Sequence, residues 1–141
     1  MTKLHYQAAT IGLLIAFSQS VCAGEWIEGR VTHVRDVDTI EVNNLPVRLN
    51  GVDGPEPNQQ GGRAAKQWMT KQVLRKPVRC ELTGAKTYDR WVGTCYLDGE
   101  DLGAMAIAAG QARDCKRYSK GKYKKFETQQ SLALPQASYC R

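Results

Sequence analysis

The sequence predicts a small α+β domain: a five-stranded Greek-key β-barrel of the OB type carrying about three α-helices. Three observations lead there. Five short segments have strand composition, and an amphipathic helix follows the third of them. The whole lies in 141 residues, room for one domain and hardly two. A closed barrel suits so short a chain because it leaves no sheet edge exposed.

The elements follow in order. WIEGRVTHV (26–34) alternates as a strand, and Asp36-Val37-Asp38 reads as a turn into the β-rich TIEV (39–42). Asn43-Asn44 tolerates positive φ and closes a hairpin into LPVRLNGV (45–52). GPEPNQQGG (54–62) holds two Pro, three Gly and no apolar residue, so it is a loop. RAAKQWMTKQVL (63–74) sets Ala65, Trp68, Met69 and Val73 on one helix face, and Pro77 ends that region. VRCEL (78–82) and RWVGTCYL (90–97) are strands joined by a GAKTYD loop (84–89), and Asp98-Gly99 is a turn. DLGAMAIAAG (101–110) predicts a short helix with Leu102, Met105, Ala106 and Ala109 inward, stopped by Gly110. A last helix is expected from Gly121 to Leu132, and Pro135 prevents its continuation.

The first 23 residues read as a cleavable export signal rather than as part of the domain, which spans 24–141. Lys3 and His5 open it, an apolar run follows from Ala8 to Phe17, and Val21 and Ala23 stand at −3 and −1 of a cut before Gly24. The run is too short to span a bilayer, which needs roughly 20 residues. Gln19 argues against lipidation of Cys22. The expected location is the periplasm or the medium, with no stable membrane association after cleavage and a monomeric state.

Four cysteines remain in the mature chain, Cys80, Cys95, Cys115 and Cys140. In an exported domain an even count predicts disulfides, and sequence alone allows three connectivities. Zinc is disfavoured, since no C-x-x-C pair exists and His33 is the only mature histidine. If the strands holding Cys80 and Cys95 pair antiparallel, these two face each other across the sheet. Cys115 and Cys140 then tie the end of the chain back to the domain.

The formal charge of +6 becomes +5 once Lys3 is removed. Positive residues cluster from Arg63 to Arg79 and from Arg113 to Lys125. The second cluster interleaves Lys and Arg with Tyr118, Tyr123 and Phe126, a mixture suited to phosphate contact and base stacking, or equally to a solvated helix face over core aromatics.

Charged residues gather at turns. In a meander of the first three strands, the start of the second and the end of the third share one end of the sheet, which brings Asp38 and Asp53 together. Two close carboxylates repel unless a cation sits between them or one is protonated. Oxygen-only ligands favour calcium or magnesium. An EF-hand is excluded, because Ile40 and Glu41 stand where its loop needs an oxygen ligand and a Gly. Asp36 alone reads better as a turn residue. The combined set, with Glu56, Arg48 and Arg90, reads as a site.

DVDT (36–39), VRLNGVDGPE (47–56), GRAAKQW (62–68) and YDRWVG (88–93), in that order, resemble the staphylococcal nuclease (thermonuclease) family over nearly the whole mature chain, roughly Arg30 to Leu132. The resemblance implies an OB-fold with added helices and calcium-dependent hydrolysis of DNA and RNA. It places Asp38 and Asp53 as calcium carboxylates, with Gly54 supplying a backbone carbonyl where the family usually has Thr. It implies Glu56 as general base, Arg48 and Arg90 as phosphate-binding arginines, and Tyr88 and Tyr118 in the nucleotide pocket. The departures are Val37 in place of a Gly, Gly54, a C-terminal tail ending in SYCR, and Asp89. Asp89 is expected either to pair with Arg90 or to add a carboxylate near the phosphate. Two other readings are open: a catalytically silent OB module that binds nucleic acid, and a disulfide-stapled structural domain. The complete carboxylate and arginine set separates the nuclease from both.

Overall fold

A computed structural model describes residues 24–141, and the export signal expected at 1–23 lies outside the described residues. The chain runs β1 (Glu25–Asp36), β2 (Thr39–Val42), β3 (Leu45–Leu49), β4 (Val52–Asp53), α1 (Gly62–Val73), β5 (Pro77–Thr87), β6 (Arg90–Leu97), β7 (Glu100–Asp101), α2 (Leu102–Ala108), β8 (Arg113–Asp114), α3 (Lys116–Ser119) and α4 (Gln129–Leu132). Two 3₁₀ turns, Lys124–Phe126 and Ser138–Cys140, complete it.

The long first strand organises the sheet. Its second half pairs with β2 and its first half with β5, both antiparallel. Two register shifts interrupt the β1–β2 ladder, between Val31 and His33 and between Val34 and Asp36, as β-bulges do. β3 pairs antiparallel with β2 and parallel with β6, opposite Val47, Arg48 and Leu49, and this parallel pairing closes the barrel. Asn43 and Asn44 both adopt positive φ, at 48° and 66°, as the β2–β3 hairpin requires. The interior is filled by Val31, Val34, Ile40, Val47 and Leu49 from the strands. Ala65, Met69 and Val73 of α1 add to that core, with Trp68 partly buried beside them. Both disulfides are the expected ones: Cys80–Cys95 across the β5–β6 ladder, and Cys115–Cys140.

Several expectations are corrected. GAKTYD is not a loop: β5 runs on through Thr87, with Lys86 opposite Trp91 and Thr87 opposite Arg90, so the turn shrinks to Tyr88-Asp89. The Lys86 ammonium stacks over the Trp91 ring at 4.1 Å, which rewards the continued pairing. In α2 the buried residues are Leu102, Gly103, Ala106 and Ile107, and Met105 packs partly buried against the same core; Gly103 and Ile107 thus join the expected stripe, while Ala109 is outside the core cluster. The single helix expected from Gly121 to Leu132 is instead a 3₁₀ turn, Lys124–Phe126, followed by the short α4, and α3 ends before the stretch begins. Lys120 and Gly121 turn left-handed at φ 57° and 82°, and Thr128, extended at ψ 169°, starts a fresh helix through a capping box with Ser131. The two-residue strands β4, β7 and β8 carry too little pattern to read in sequence. β4 and β8 pair with each other.

Tyr123, in the second basic cluster, is a core residue at 2 % exposure, and Phe126 packs against the same core. The Tyr123 hydroxyl donates to Asp101 Oδ2 at 2.9 Å, and the same carboxylate caps α2 and pairs with Lys122 at 2.7 Å. Burial and the Asp101 charge push the Tyr123 phenol up to about 12. Burial pulls the Lys122 ammonium down, but its bonds to Asp101 and Tyr123 outweigh that and raise it. Both groups hold protons more tightly folded than unfolded. Their contribution is therefore complete below the unfolded tyrosine value of 10 and is lost as pH rises toward 12. Thermal melts between pH 8 and 12 should show Tm falling over that leg, with a shallower fall in Tyr123→Phe. Parallel curves would exclude this cluster as the source.

Candidate active site

At one end of the barrel the β1–β2 turn, the end of β3 and the loop after β4 meet. Thr39 opens β2 directly opposite Arg48 on β3, the juxtaposition expected of the meander. Asp38, in the turn just before Thr39, is 2 % exposed. Its Oδ1 accepts from the Thr39 hydroxyl at 3.1 Å and forms an ion pair with Arg48 Nη1. Its Oδ2 accepts from the Gly54 amide at 2.9 Å, which draws the loop carrying Asp53 against the turn. Arg48 Nη2 donates to the Val52 carbonyl at 3.1 Å. The guanidinium thus lies between a carboxylate and a carbonyl, with further N–H donors of its fork uncommitted to either.

Thr39 extends the array. While donating to Asp38 it accepts from Arg90 Nη1 at 3.2 Å, so one hydroxyl links the two arginines through the carboxylate. Thr39 is fully buried and was not singled out in the sequence. The only available signal was a hydroxyl beside a candidate ligand. Asp36 ends β1 and its side chain fastens the turn that follows, its Oδ1 accepting the Asp38 amide at 3.1 Å. Its carboxyl also faces the array: burial raises its pKa, while Arg48, Thr39 and Arg90 oppose that rise. Burial lowers the Arg48 guanidinium, and Arg90 adds to this, whereas Tyr139, Asp36 and Asp53 act in the opposite sense. A buried, crowded guanidinium of this kind gains from an added anion.

Asp53 is 5 % exposed, and its Oδ2 accepts from the Ala137 amide at 2.9 Å. Glu56 stands apart. Its side chain is exposed and enters no ion pair among the described residues, while its backbone is fixed by bonds to Gln59 Oε1 and from the Gln59 amide, both 2.8 Å. Tyr88, 94 % exposed, stands next to Arg90, whose guanidinium carbon is 6.0 Å from its ring centre. Tyr118 is half-exposed on α3. In the second basic cluster Lys116, Arg117, Lys120, Lys122, Lys124 and Lys125 are exposed.

With this geometry in view, the comparisons are specific. The family described as Staphylococcal nuclease homologue matches residues 46–137. The chain belongs to the staphylococcal nuclease family. Among its relatives, the Succinoglycan biosynthesis protein ExoI of Rhizobium meliloti (strain 1021) is 35% identical over 81% of this chain and 67% of its own. An Uncharacterized endonuclease of Escherichia coli O157:H7 is 33% identical, covering 76% of this chain and 72% of its own. A Micrococcal nuclease of Shigella flexneri is 26% identical, covering 95% and 86%.

Two departures from the staphylococcal nuclease pattern explain each other. Val37 is fully buried and its φ is not positive, so the turn has no need of glycine. A Cβ built at Gly54 would overlap Val37 Cγ1, so the valine fills the space that glycine vacates. The third departure is corrected: Asp89 pairs with Arg35 at 2.8 Å, and Arg35 also holds Glu41 at 2.7 Å, which leaves Arg90 to Thr39. The Arg35 guanidinium holds the Asp89 carboxyl below its ordinary value.

The Val37–Gly54 fit generates a prediction. Gly54→Ala should cost about 1–3 kcal/mol, the usual penalty of overpacking. Val37→Ala removes Cγ1 and leaves only Cβ, 3.5 Å from the new methyl, an ordinary contact. The double variant should therefore be more stable than the two single losses sum to, in a urea-denaturation cycle. Additive losses would show that the two positions do not share this space.

Proposed function

We propose that this chain is an exported, calcium-dependent nuclease that hydrolyses phosphodiester bonds of DNA, RNA or both. The observation that carries the reading is the buried array in which Thr39 joins Asp38 and Arg48 to Arg90 at one barrel end. A phosphodiester is anionic and repels nucleophiles, so its hydrolysis needs positive charge around the phosphate. Arg48 and Arg90 supply rigid donors aimed into one region, and Arg48 exchanges its internal partner for phosphate oxygens as charge grows there. Glu56, exposed on a turn stiffened by Pro55 and Pro57, takes the proton from the attacking water. Tyr88 and Tyr118 flank the phosphate site and contact the nucleotide.

Asp38, Asp53 and the Gly54 carbonyl are hard oxygen donors that suit calcium. Among the described residues no three His, Cys, Asp or Glu side chains gather into a metal site, and only two carboxylates and one carbonyl are assigned to the ion. Such a donor set fits a hard ion that keeps water or phosphate in its shell. When bound, the ion neutralises phosphate charge and orients water. Calcium binding on the order of 10⁻⁴–10⁻³ M is expected by calorimetry, and submicromolar binding would require ligands beyond these three. Export is supported by the two disulfides and the leader-like N-terminus. No helix of the described residues is long and apolar enough to cross a membrane.

The deciding experiment incubates the mature protein with single-stranded DNA, first with calcium and then with a chelator. Cleavage should appear with calcium and stop with the chelator. Glu56→Gln should lower kcat by about 10²–10⁴-fold with an unchanged melting curve. Activity within a few-fold of wild type would remove Glu56 from the general-base role. Binding without cleavage under every metal would favour the silent OB module.

A further inference from the structure

The C-terminal tail returns to the end of the barrel that carries the array. Gln136 Nε2 donates to the Asp114 carbonyl at 2.9 Å, and the Ala137 amide donates to Asp53 Oδ2 at 2.9 Å. Cys140, 1 % exposed, is then locked by its disulfide to Cys115. The tail is therefore tied to the same carboxylate that opens the loop after β4, and it cannot leave without breaking a covalent bond.

Each half of this staple carries a tyrosine. Tyr118 lies three residues after Cys115, and Tyr139 immediately precedes Cys140. Their rings meet edge to face, with centroids 6.4 Å apart and planes at 68°. That geometry is favourable for an aromatic pair. Neither ring is absorbed into the core: Tyr118 stays 50 % exposed and Tyr139 49 %. The Arg117 guanidinium stands 5.7 Å from the Tyr118 ring centre, and Lys116 and Lys120 are exposed on the same short helix and its cap. Tyr139 follows two residues after Ala137, whose amide is bonded to Asp53, so it enters from the segment tied to that end of the barrel. A half-exposed aromatic corner, rimmed by cations at that end of the barrel, has the composition of a base-stacking platform.

We propose that Tyr139 is a substrate-binding residue: its ring forms with Tyr118 a corner that stacks a nucleobase beside the phosphate site, and the Cys115–Cys140 disulfide holds it there. The inference rests on the nuclease reading for the identity of the ligand, but it is tested by binding as well as by turnover. The tail would then be a wall of the site, and reduction of one disulfide would weaken substrate binding without touching Arg48, Glu56 or Arg90.

The test uses the mature protein, a short fluorescein-labelled oligothymidylate and the same oligonucleotide with abasic sites. Anisotropy in chelator gives Kd without cleavage, and steady-state kinetics in calcium give KM and kcat. Tyr139→Ala should raise Kd and KM by about 5- to 100-fold, the range of one lost base stack, and leave kcat within a few-fold. Tyr139→Phe should bind as wild type, since the ring carries the effect. The abasic oligonucleotide should bind wild type and Tyr139→Ala equally. Cys115→Ser/Cys140→Ser should match Tyr139→Ala, whereas Cys80→Ser/Cys95→Ser, remote from the tail, should not. An unchanged Kd in Tyr139→Ala, or an equal loss with the abasic probe, would overturn the proposal while leaving the nuclease reading intact. Tyr139-dependent binding without cleavage would overturn the nuclease reading and leave the stacking corner standing.

Discussion

The buried carboxylate of Asp38 is the constraint on which the site depends. A charge so enclosed is tolerated only with its lone pairs satisfied, and here each partner comes from a different piece of backbone. The Thr39 hydroxyl belongs to β2, the Arg48 guanidinium to β3 and the Gly54 amide to the loop after β4. Removing one partner of a buried pair typically costs about 3–5 kcal/mol, because the other charge is left uncompensated. Asp38 thus cross-links three segments that the barrel alone would only bring near one another. The same carboxylate is the one through which Thr39 joins Arg48 to Arg90, so the geometry of the array hangs on one group.

The barrel supplies the frame for that cross-link. Parallel pairing of β3 with β6 places Arg48 opposite Val92, and Arg90 lies two residues earlier on the same strand. Both arginines are therefore carried by hydrogen-bonded strands rather than by loops, which fixes their separation. Glu56 is mounted differently, on an exposed turn whose backbone is tied to Gln59. The two arginines are thus held by the sheet, whereas the Glu56 side chain is exposed on its turn.

The two disulfides perform different tasks. Cys80–Cys95 joins residues already paired across adjacent strands and restrains a loop of sequence separation 15. By the chain-entropy model that is worth about 3 kcal/mol. Cys115–Cys140, of separation 25, closes a segment with little regular structure, two four-residue helices and two 3₁₀ turns, whose order depends more on the staple. A domain this small gains from both, since the area its core can bury is limited.

Period-2 and period-3.6 patterning and the Asn43-Asn44 turn were enough to read the barrel strands and α1, and antiparallel pairing of the strands holding Cys80 and Cys95 then selected one of the three disulfide connectivities. Those signals are local, and the closed sheet leaves few ways to satisfy them together. The motif residues Asp38, Arg48, Asp53 and Arg90 could also be found, because charges at strand ends stand out against apolar neighbours. Other features depended on contacts between distant segments. Lys86 lies against Trp91 and so turned an expected loop into strand, and Arg35 claimed Asp89 before Arg90 could. Thr39 became the link between two arginines, and the valine at 37 took up the space of the glycine at 54. Tyr123 went to the core while Tyr118 stayed outside, although both sit in the same basic cluster. The sequence by itself determined which groups were present and which segments would pair. Tertiary structure decided which charge meets which partner, because that choice depends on burial and on distances of a few ångströms between residues far apart in the chain.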